Sequence, residues 1–395
     1  MDKAPDDTRE AIEGEGARDP DAGLEADRAE DPAFLSEQLI TYIGNKRRLL
    51  PMIEAALLSC VPALGGRLVS FADVFAGTGI VSRMARRHAR RLYINDAEAY
   101  SALSNRAYHA NRADVPMAEV EAWRQAINRR AAANQTPGVI TSLYAPARED
   151  RITPQDRVFY TRRNALFIDA ARQGIDQAPA PVRPFLLAPL IQRASVHVNT
   201  PGVFKGFYKN AQGVGQFGGT QGHALGRIQA PIDIPFPVLS RFSREVVVSQ
   251  LDAEAFVAAL PPVDVAYLDP PYNQHPYGSN YFMLNLIVEY QQPGAISQVS
   301  GIPRDWRRSP YNVRALAAPT LARLLALCPA RTLLVSYNSE GFIAPGTMHA
   351  LLASLGRVSR YDQTYNTFRG CRNLANRPTH VTEWLFKVER AGPGG

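Results

Sequence analysis

The feature that most constrains the fold is a short apolar run leading into a glycine turn. Residues 68–74 read as a strand with Asp73 near its end, followed by the turn FAGTG (Phe75 to Gly79). A helical stretch to about His88 comes next, then a second strand at 92–95 that closes on Asp96. Strand, glycine turn, helix and strand open a doubly wound α/β sheet. Gly77 and Gly79 permit a tight turn and close approach of the backbone to a ligand. The third glycine of the dinucleotide fingerprint is missing, which argues against a nicotinamide-dependent oxidoreductase. Asp96 stands where an acidic residue can accept hydrogen bonds from ribose hydroxyls. The plainer reading is an ordinary strand-to-helix turn with a solvated aspartate.

Helical spacing continues over 97–111 and 117–133. From about 112 to 240 the strand–helix alternation lapses. That stretch holds a helical segment at 155–173, a proline-rich turn at 179–189 and a region rich in glycine and aromatics at 202–226. Alternation then resumes with strands at 245–249 and 263–268 around a helix at 253–260. A helix at 313–327, a strand at 332–337 and two last strands near 357–367 and 379–388 complete the pattern. The expected architecture is a Rossmann-like α/β sheet built from residues 36–111 and 241–390, interrupted by an inserted domain at 112–240. Residues 1–35 carry twelve acidic and four basic residues and few large apolar ones, so a disordered acidic tail is expected there.

The second motif, Asp269-Pro270-Pro271-Tyr272, falls at the carboxyl end of the 263–268 strand, where open α/β sheets place their ligands. Two consecutive prolines remove two backbone donors and restrict the chain. Carbonyls and the Asp269 carboxylate are thereby available to an amino group, and the Tyr272 ring can stack on a planar base. Acceptors, rigid backbone and ring together suit an exocyclic amine donor such as adenine N6. The competing reading is a rigid loop with an incidental tyrosine.

Charge and cysteine content narrow the partners. The net charge of +7 divides into −8 over residues 1–35 and +15 over the rest, and most of the basic residues are arginine. A basic body suits a polyanion, although a genome rich in G and C gives the same arginine bias. Cys60, Cys328 and Cys371 lie far apart and make neither a zinc signature nor a disulfide framework. The seven histidines are scattered without ligand spacing, so no metal is expected. No apolar run approaches the roughly 18 residues of a membrane span. The acidic start lacks the regions of a signal peptide. A bacterial cytoplasm is the expected compartment.

With these residues in hand, the chain resembles the D12 (alpha) group of site-specific DNA adenine-N6 methyltransferases, and among them the type II restriction-modification methylases of the FokI kind. DPPY is similar to that group's catalytic motif and FAGTG to its FxGxG cofactor turn. Tyr42-Ile-Gly-Asn-Lys-Arg-Arg-Leu-Leu is similar to its N-terminal cofactor motif. Tyr272-Asn273, Ser279-Asn280-Tyr281 and the segment SYNSEG (Ser336 to Gly341) extend the likeness, which spans roughly residues 38–389.

The resemblance implies S-adenosylmethionine as methyl donor and double-stranded DNA as partner, with a cognate restriction endonuclease beside them. It places Tyr42, Gly44 and Lys46 at the cofactor's methionine moiety, together with Asp73, Phe75, Gly77 and Gly79. Asp96 falls at the ribose and Asp252 near the cofactor's adenine, though Asp252 is equally well placed as a helix N-cap. Lys46 has an alternative as one charge of the solvated run Lys46-Arg47-Arg48.

The target amine lies inside a base pair, so the nucleotide must be flipped out. Tyr272 would then stack on it, and Asp269 and the Pro270 carbonyl would accept its N–H groups. In the insertion, read as a target-recognition domain, Lys205 and Lys209 suit phosphates, and Gln212, Gln216 and Gln221 suit base edges. Asn273 and Tyr281 are further candidates for nucleic-acid contact. Arg304, Arg307 and Arg308 flank Trp306 and could track the phosphate backbone, and His275 reads as a loop or DNA contact. Alternatives are cytosine N4, RNA adenine or protein glutamine as acceptor, or a catalytically silent DNA-binding subunit.

Overall fold

The computed structural model describes residues 29–37, 39–219, 222, 224–366 and 380–390. Among these residues there is one sheet of seven strands: β1 (Ser70–Asp73), β2 (Arg91–Asn95), β3 (Glu245–Ser249), β4 (Val263–Leu268), β5 (Ala330–Asn338), β6 (Arg357–Asn366) and β7 (His380–Glu389). The spatial order is β3-β2-β1-β4-β5-β7-β6. The first five are mutually parallel, while β7 runs antiparallel between β5 and β6. From β1 the chain winds outward through β2 to β3, then returns to β4 on the other side. The carboxyl ends of β1 and β4 therefore flank the switch point at which such sheets bind ligands. This is the expected Rossmann-like α/β fold.

Side-chain alternation along the strands supplies two separate cores. Phe71, Val265 and Tyr267 point to one face, where helices Leu50–Leu58 and Ile80–Ala85 cover them. Ala72, Ala266 and Leu268 point to the other, beneath helices Ala253–Ala259, Arg314–Leu327 and Pro345–Ala353. Covered on both faces, the strand centres can be apolar on either side, as Phe71 and Ala72 of β1 and Val265 to Leu268 of β4 are.

The stretch 112–240, expected as an insertion, is mostly helical: Met117–Ala132, Val139–Tyr144, Arg162–Gln177 and Arg183–Val196. Its apolar residues share one cluster with Tyr100 and Tyr108 of helix Ala99–Tyr108 and with helix Phe282–Glu289, which follows the DPPY loop. The helical part of the insertion is thus continuous with the core beside the sheet. The proline-rich turn expected at 179–189 is corrected. Pro184 sits in the first turn of helix Arg183–Val196, where a missing N–H costs nothing, and the helix runs on through Pro189. Burial of Phe185, Leu186, Leu190 and Ile191 outweighs the lost hydrogen bond there.

The expected tail is corrected at its end. Residues 1–28 lie outside the described residues, but Pro32–Ser36 is a helical turn capped by Asp31, with Phe34 buried. Glu30 accepts hydrogen bonds from Ser240 Oγ (2.5 Å) and the Arg241 amide (2.9 Å), so this segment is fastened to the end of the insertion. Cys60 and Cys328 are buried free thiols, and Cys371 lies outside the described residues. No helix among the described residues is long and apolar enough to cross a membrane, and no group of His, Cys, Asp and Glu among them could hold a metal ion.

Candidate active site

A cavity of about 410 Å³ opens at the carboxyl ends of β1 and β4. The glycine turn forms its floor. Gly77 (φ +52°) and Gly79 (φ +71°) both adopt left-handed backbone. A Cβ on Gly77 would stand 3.0 Å from the Tyr42 ring, and one on Gly79 would stand 2.1 Å from Asn105 Oδ1. Left-handed backbone favours glycine at both positions, and a side chain at 79 would also have to displace Asn105. Asp96 secures the turn from β2, accepting from the amides of Gly77 (2.7 Å) and Glu98 (2.9 Å).

Of the residues expected to hold a cofactor, Tyr42, Gly44, Lys46, Asp73, Phe75, Gly77, Asp96 and Asp252 all line this cavity. Gly79 stands outside the wall and shapes the turn from below. Asp252 satisfies both of its readings: it lines the cavity and caps helix Ala253–Ala259 through the Ala255 amide (3.0 Å). The wall holds six carboxylates (Asp73, Asp96, Glu98, Asp252, Glu254 and Asp269) against three cations, Lys46, Arg307 and Arg308. Such a balance repels a pyrophosphate and attracts a cationic ligand.

Asp73 accepts from Ser82 Oγ (2.6 Å) through one oxygen. Its other oxygen is buried with no partner of ordinary hydrogen-bond geometry among the described residues. Burial pushes its carboxyl up to about 7. Burial likewise raises Glu98 to about 7, despite a hydrogen bond from Asn285 Nδ2 (2.5 Å). Apolar surface is supplied by Phe75, whose ring meets Tyr311 edge-on at 5.4 Å.

Asp269 and Pro271 form the wall on the β4 side, whereas Pro270 is buried behind it and Tyr272 lies beyond it. Burial lifts the Asp269 carboxyl to about 6 and the nearby Lys46 ammonium opposes the rise. Lys46 is not a solvated charge. It is 4 % exposed, with its ammonium 3.1 Å from Asp269 Oδ1 and 3.4 Å from Glu383 Oε2. Burial disfavours that ammonium, but Asp269 and Glu383 prevail and hold its pKa well above the usual lysine value. The resemblance put Lys46 at the cofactor; the structure puts it at the DPPY motif as well.

The DPPY loop is braced from several sides. The Tyr272 carbonyl accepts from the Phe342 amide (2.8 Å) and Tyr337 Oη (3.4 Å), and the two rings meet edge-on at 6.1 Å. Asn312 Nδ2 donates to the Asn273 carbonyl (2.6 Å), tying the 309–312 segment over the cavity to the same loop. The SYNSEG likeness thus marks the strand end that supports Tyr272.

Tyr281 is corrected as a nucleic-acid contact. It is fully buried, stacks on Tyr42 at 4.8 Å, and its hydroxyl accepts the Ile43 amide at 2.7 Å. Its place in the core fixes Tyr42 over the glycine turn. Lys205 is exposed, Lys209 lies 5.1 Å from the centre of the Phe207 ring, Gln212 is exposed and Gln216 is half-buried. Asn273 and His275 are half-buried; Gln221 lies outside the described residues. Arg307 and Arg308, expected on the phosphate backbone, line the cavity, and Arg308 stacks on Trp306 at 4.5 Å. Arg304 is exposed outside the wall.

Glu98, Tyr311 and Glu383 escaped the sequence reading. Glu383 had a signal: an acid directly before the apolar run Trp384 to Phe386 of β7.

An acidic cavity at a switch point, shaped by a glycine turn and flanked by DPPY, defines a Rossmann-like methyltransferase that binds a cationic methyl donor. Residues 42–298 match the D12 class N6 adenine-specific DNA methyltransferase family, and the chain belongs to it. Its methyl donor is S-adenosylmethionine and its substrate is DNA, methylated at adenine N6. It is 26 % identical to the type II methyltransferase M.NlaIII of Neisseria lactamica, over 89 % of this chain and 99 % of that protein. It is 28 % identical to the type II methyltransferase M.CviAII of Paramecium bursaria Chlorella virus 1, over 88 % and 98 %. To the type II methyltransferase M.FokI of Planomicrobium okeanokoites it is 23 % identical, over 88 % of this chain and 52 % of that protein.

Proposed function

We propose that the enzyme flips its target adenine out of duplex DNA into the space beside Asp269 and Tyr272, and modifies one specific sequence as the methylase of a restriction-modification system. The acidic cavity meeting the DPPY loop carries this reading. The unpartnered oxygen of Asp73 suits the cofactor's methionine ammonium, with Tyr42 and Gly44 beside it. Phe75 and Tyr311 offer apolar surface to its adenosyl part. Asp96 and Asp252 face its ribose and adenine respectively. Bound there, S-adenosylmethionine supplies a methyl group activated by a positively charged sulfur.

The chain's own residues prepare the acceptor. Ionised Asp269 and the Pro270 carbonyl accept the two N6 hydrogens, turning the nitrogen lone pair toward the methyl group. Tyr272 stacks on the extruded base and offsets part of the few kcal/mol that unstacking costs. Positioning and fixed electrostatics supply most of the acceleration, and no cysteine nucleophile takes part. The insertion at 112–240 acts as target-recognition domain, with Lys205 and Lys209 on phosphates and Gln212 and Gln216 toward base edges. Asn273 meets the DNA. The names of the relatives favour a cognate endonuclease as the enzyme's counterpart.

Flipping is tested with 2-aminopurine at the target position, once sequencing of methylated DNA has given the site. Binding is expected to raise the fluorescence several-fold in Tyr272→Ala, where the stacking partner is missing, and less in the wild type. Fluorescence unchanged in both proteins would reject flipping.

A further inference from the structure

Behind the catalytic carboxylate lies a second one that the transfer chemistry described so far leaves unused. Glu383 sits in β7 beside the buried Trp384, is 1 % exposed, and pairs in register with Asn338 at the end of β5. Asn338 Nδ2 donates to Glu383 Oε1 (3.3 Å), and Lys46 Nζ lies 3.4 Å from Glu383 Oε2. The Lys46 ammonium therefore stands between two carboxylates, 3.1 Å from Asp269 on its other side. An isolated Lys46–Asp269 pair would be neutral and would bind up the very acceptor the target amine needs. With Glu383 the buried group carries one net negative charge.

We propose that Glu383 is a positioning residue for methyl transfer: it shares the Lys46 ammonium with Asp269, so that Asp269 keeps accepting capacity and net negative charge for the target amine. Methyl transfer to N6 places positive charge on that nitrogen before its proton departs. A fixed negative charge in a site of low polarity stabilises such a change far more than it would in water. Other groups also face Asp269. Asp73 lies across the cavity, the hydroxyls of Tyr267, Tyr272 and Tyr277 stand around it, and Ser336 reaches it from β5. None of them is a permanent cation, so Lys46 is the group whose position matters, and Glu383 is what holds it.

This proposal rests on Asp269 as the acceptor, and its test separates the two. Wild type without adenine product, or Asp269→Ala with full activity, overturns that reading and leaves nothing for Glu383 to position. The direct readout is the titration of Asp269 in cofactor-free protein labelled with carboxyl-13C aspartate, assigned by Asp269→Asn. Removing the like charge in Glu383→Gln is expected to move that titration to lower pH, and removing the cation in Lys46→Met to move it to higher pH. Single-turnover methylation by Glu383→Gln is expected to fall about 10- to 100-fold at neutral pH, the scale of one fixed electrostatic contact. Its acid limb should shift down, with S-adenosylmethionine affinity within about twofold. Glu383→Asp is expected to recover part of the rate.

A wild-type rate in Glu383→Gln overturns the proposal. So does a slower rate with the Asp269 titration unmoved and no recovery in Glu383→Asp, the pattern of a merely structural residue. Should Glu383→Gln fail to fold, Lys46→Met decides, because an absent or downward shift there is equally fatal.

Discussion

Replacing Gly79 with alanine should unseat the cofactor turn, and the structure sets the size of the effect. An L-residue at φ +71° costs about 1–2 kcal/mol in backbone strain. The new Cβ would stand 2.1 Å from Asn105 Oδ1, so the asparagine must move. Moving it endangers the hydrogen bonds from its Nδ2 to the carbonyls of Ser101 (3.0 Å) and Gly77 (3.3 Å), each contributing about 1 kcal/mol. The total is about 3–4 kcal/mol, concentrated at the loop that must meet the cofactor.

Chemical denaturation monitored by fluorescence gives the stability, and equilibrium titration gives the affinity for S-adenosylmethionine. Gly226→Ala is the control. That glycine lies in helix Leu225–Gln229 with nothing within 4 Å of a Cβ, so alanine should be neutral or stabilise by up to about 1 kcal/mol. If Gly79→Ala kept its midpoint within the error of Gly226→Ala and bound cofactor normally, the steric argument for this turn would be refuted.

Tyr281→Phe removes the acceptor of the part-buried Ile43 amide, and should cost about 0.5–1.5 kcal/mol in denaturation midpoints and weaken cofactor binding while sparing affinity for DNA. A selective loss of DNA affinity would reinstate Tyr281 as a nucleic-acid contact. Because Asp73 is raised to about 7, its charge grows as pH rises through neutrality, so affinity for the cationic cofactor should tighten between pH 6 and 8 by up to about tenfold. Asp73→Asn should flatten that dependence in a titration series. With Asp269 as the proposed acceptor of the target amine, turnover should fall as pH drops through about 6. Lys205→Ala should lower the slope of log affinity against log salt by about 0.9 if the lysine neutralises one phosphate, and a salt titration on cognate duplex measures it.

The motifs were legible because their backbone demands are local. A strand ending in Asp73, two left-handed glycines and a proline pair after β4 announce themselves in consecutive residues, and the structure gathers them around one cavity, with Gly79 and Pro270 behind its wall. Elements whose geometry depends on tertiary packing were not legible. Pro184 and Pro189 read as a turn because single-residue preferences cannot register the buried apolar face that carries the helix past them. Tyr281 lay in a segment resembling a functional motif, and its type, an aromatic beside asparagine, fits either base contact or core. Only its burial against Tyr42 decides. Glu98, Tyr311 and Glu383 reach the site from a helix start, a covering loop and the far strand, separations that no spacing rule spans. Lys46 shows the reverse: its neighbours Arg47 and Arg48 make it look solvated, yet its two acidic partners lie more than 200 residues away.

The most direct test of the account incubates the protein with mixed-sequence duplex DNA and methyl-labelled S-adenosylmethionine, then identifies the modified nucleoside by mass spectrometry, with Asp269→Ala in parallel. N6-methyladenine in the wild type, reduced at least about 100-fold in the variant, is the predicted result. Label found in N4-methylcytosine, or N6-methyladenine undiminished in Asp269→Ala, would contradict it.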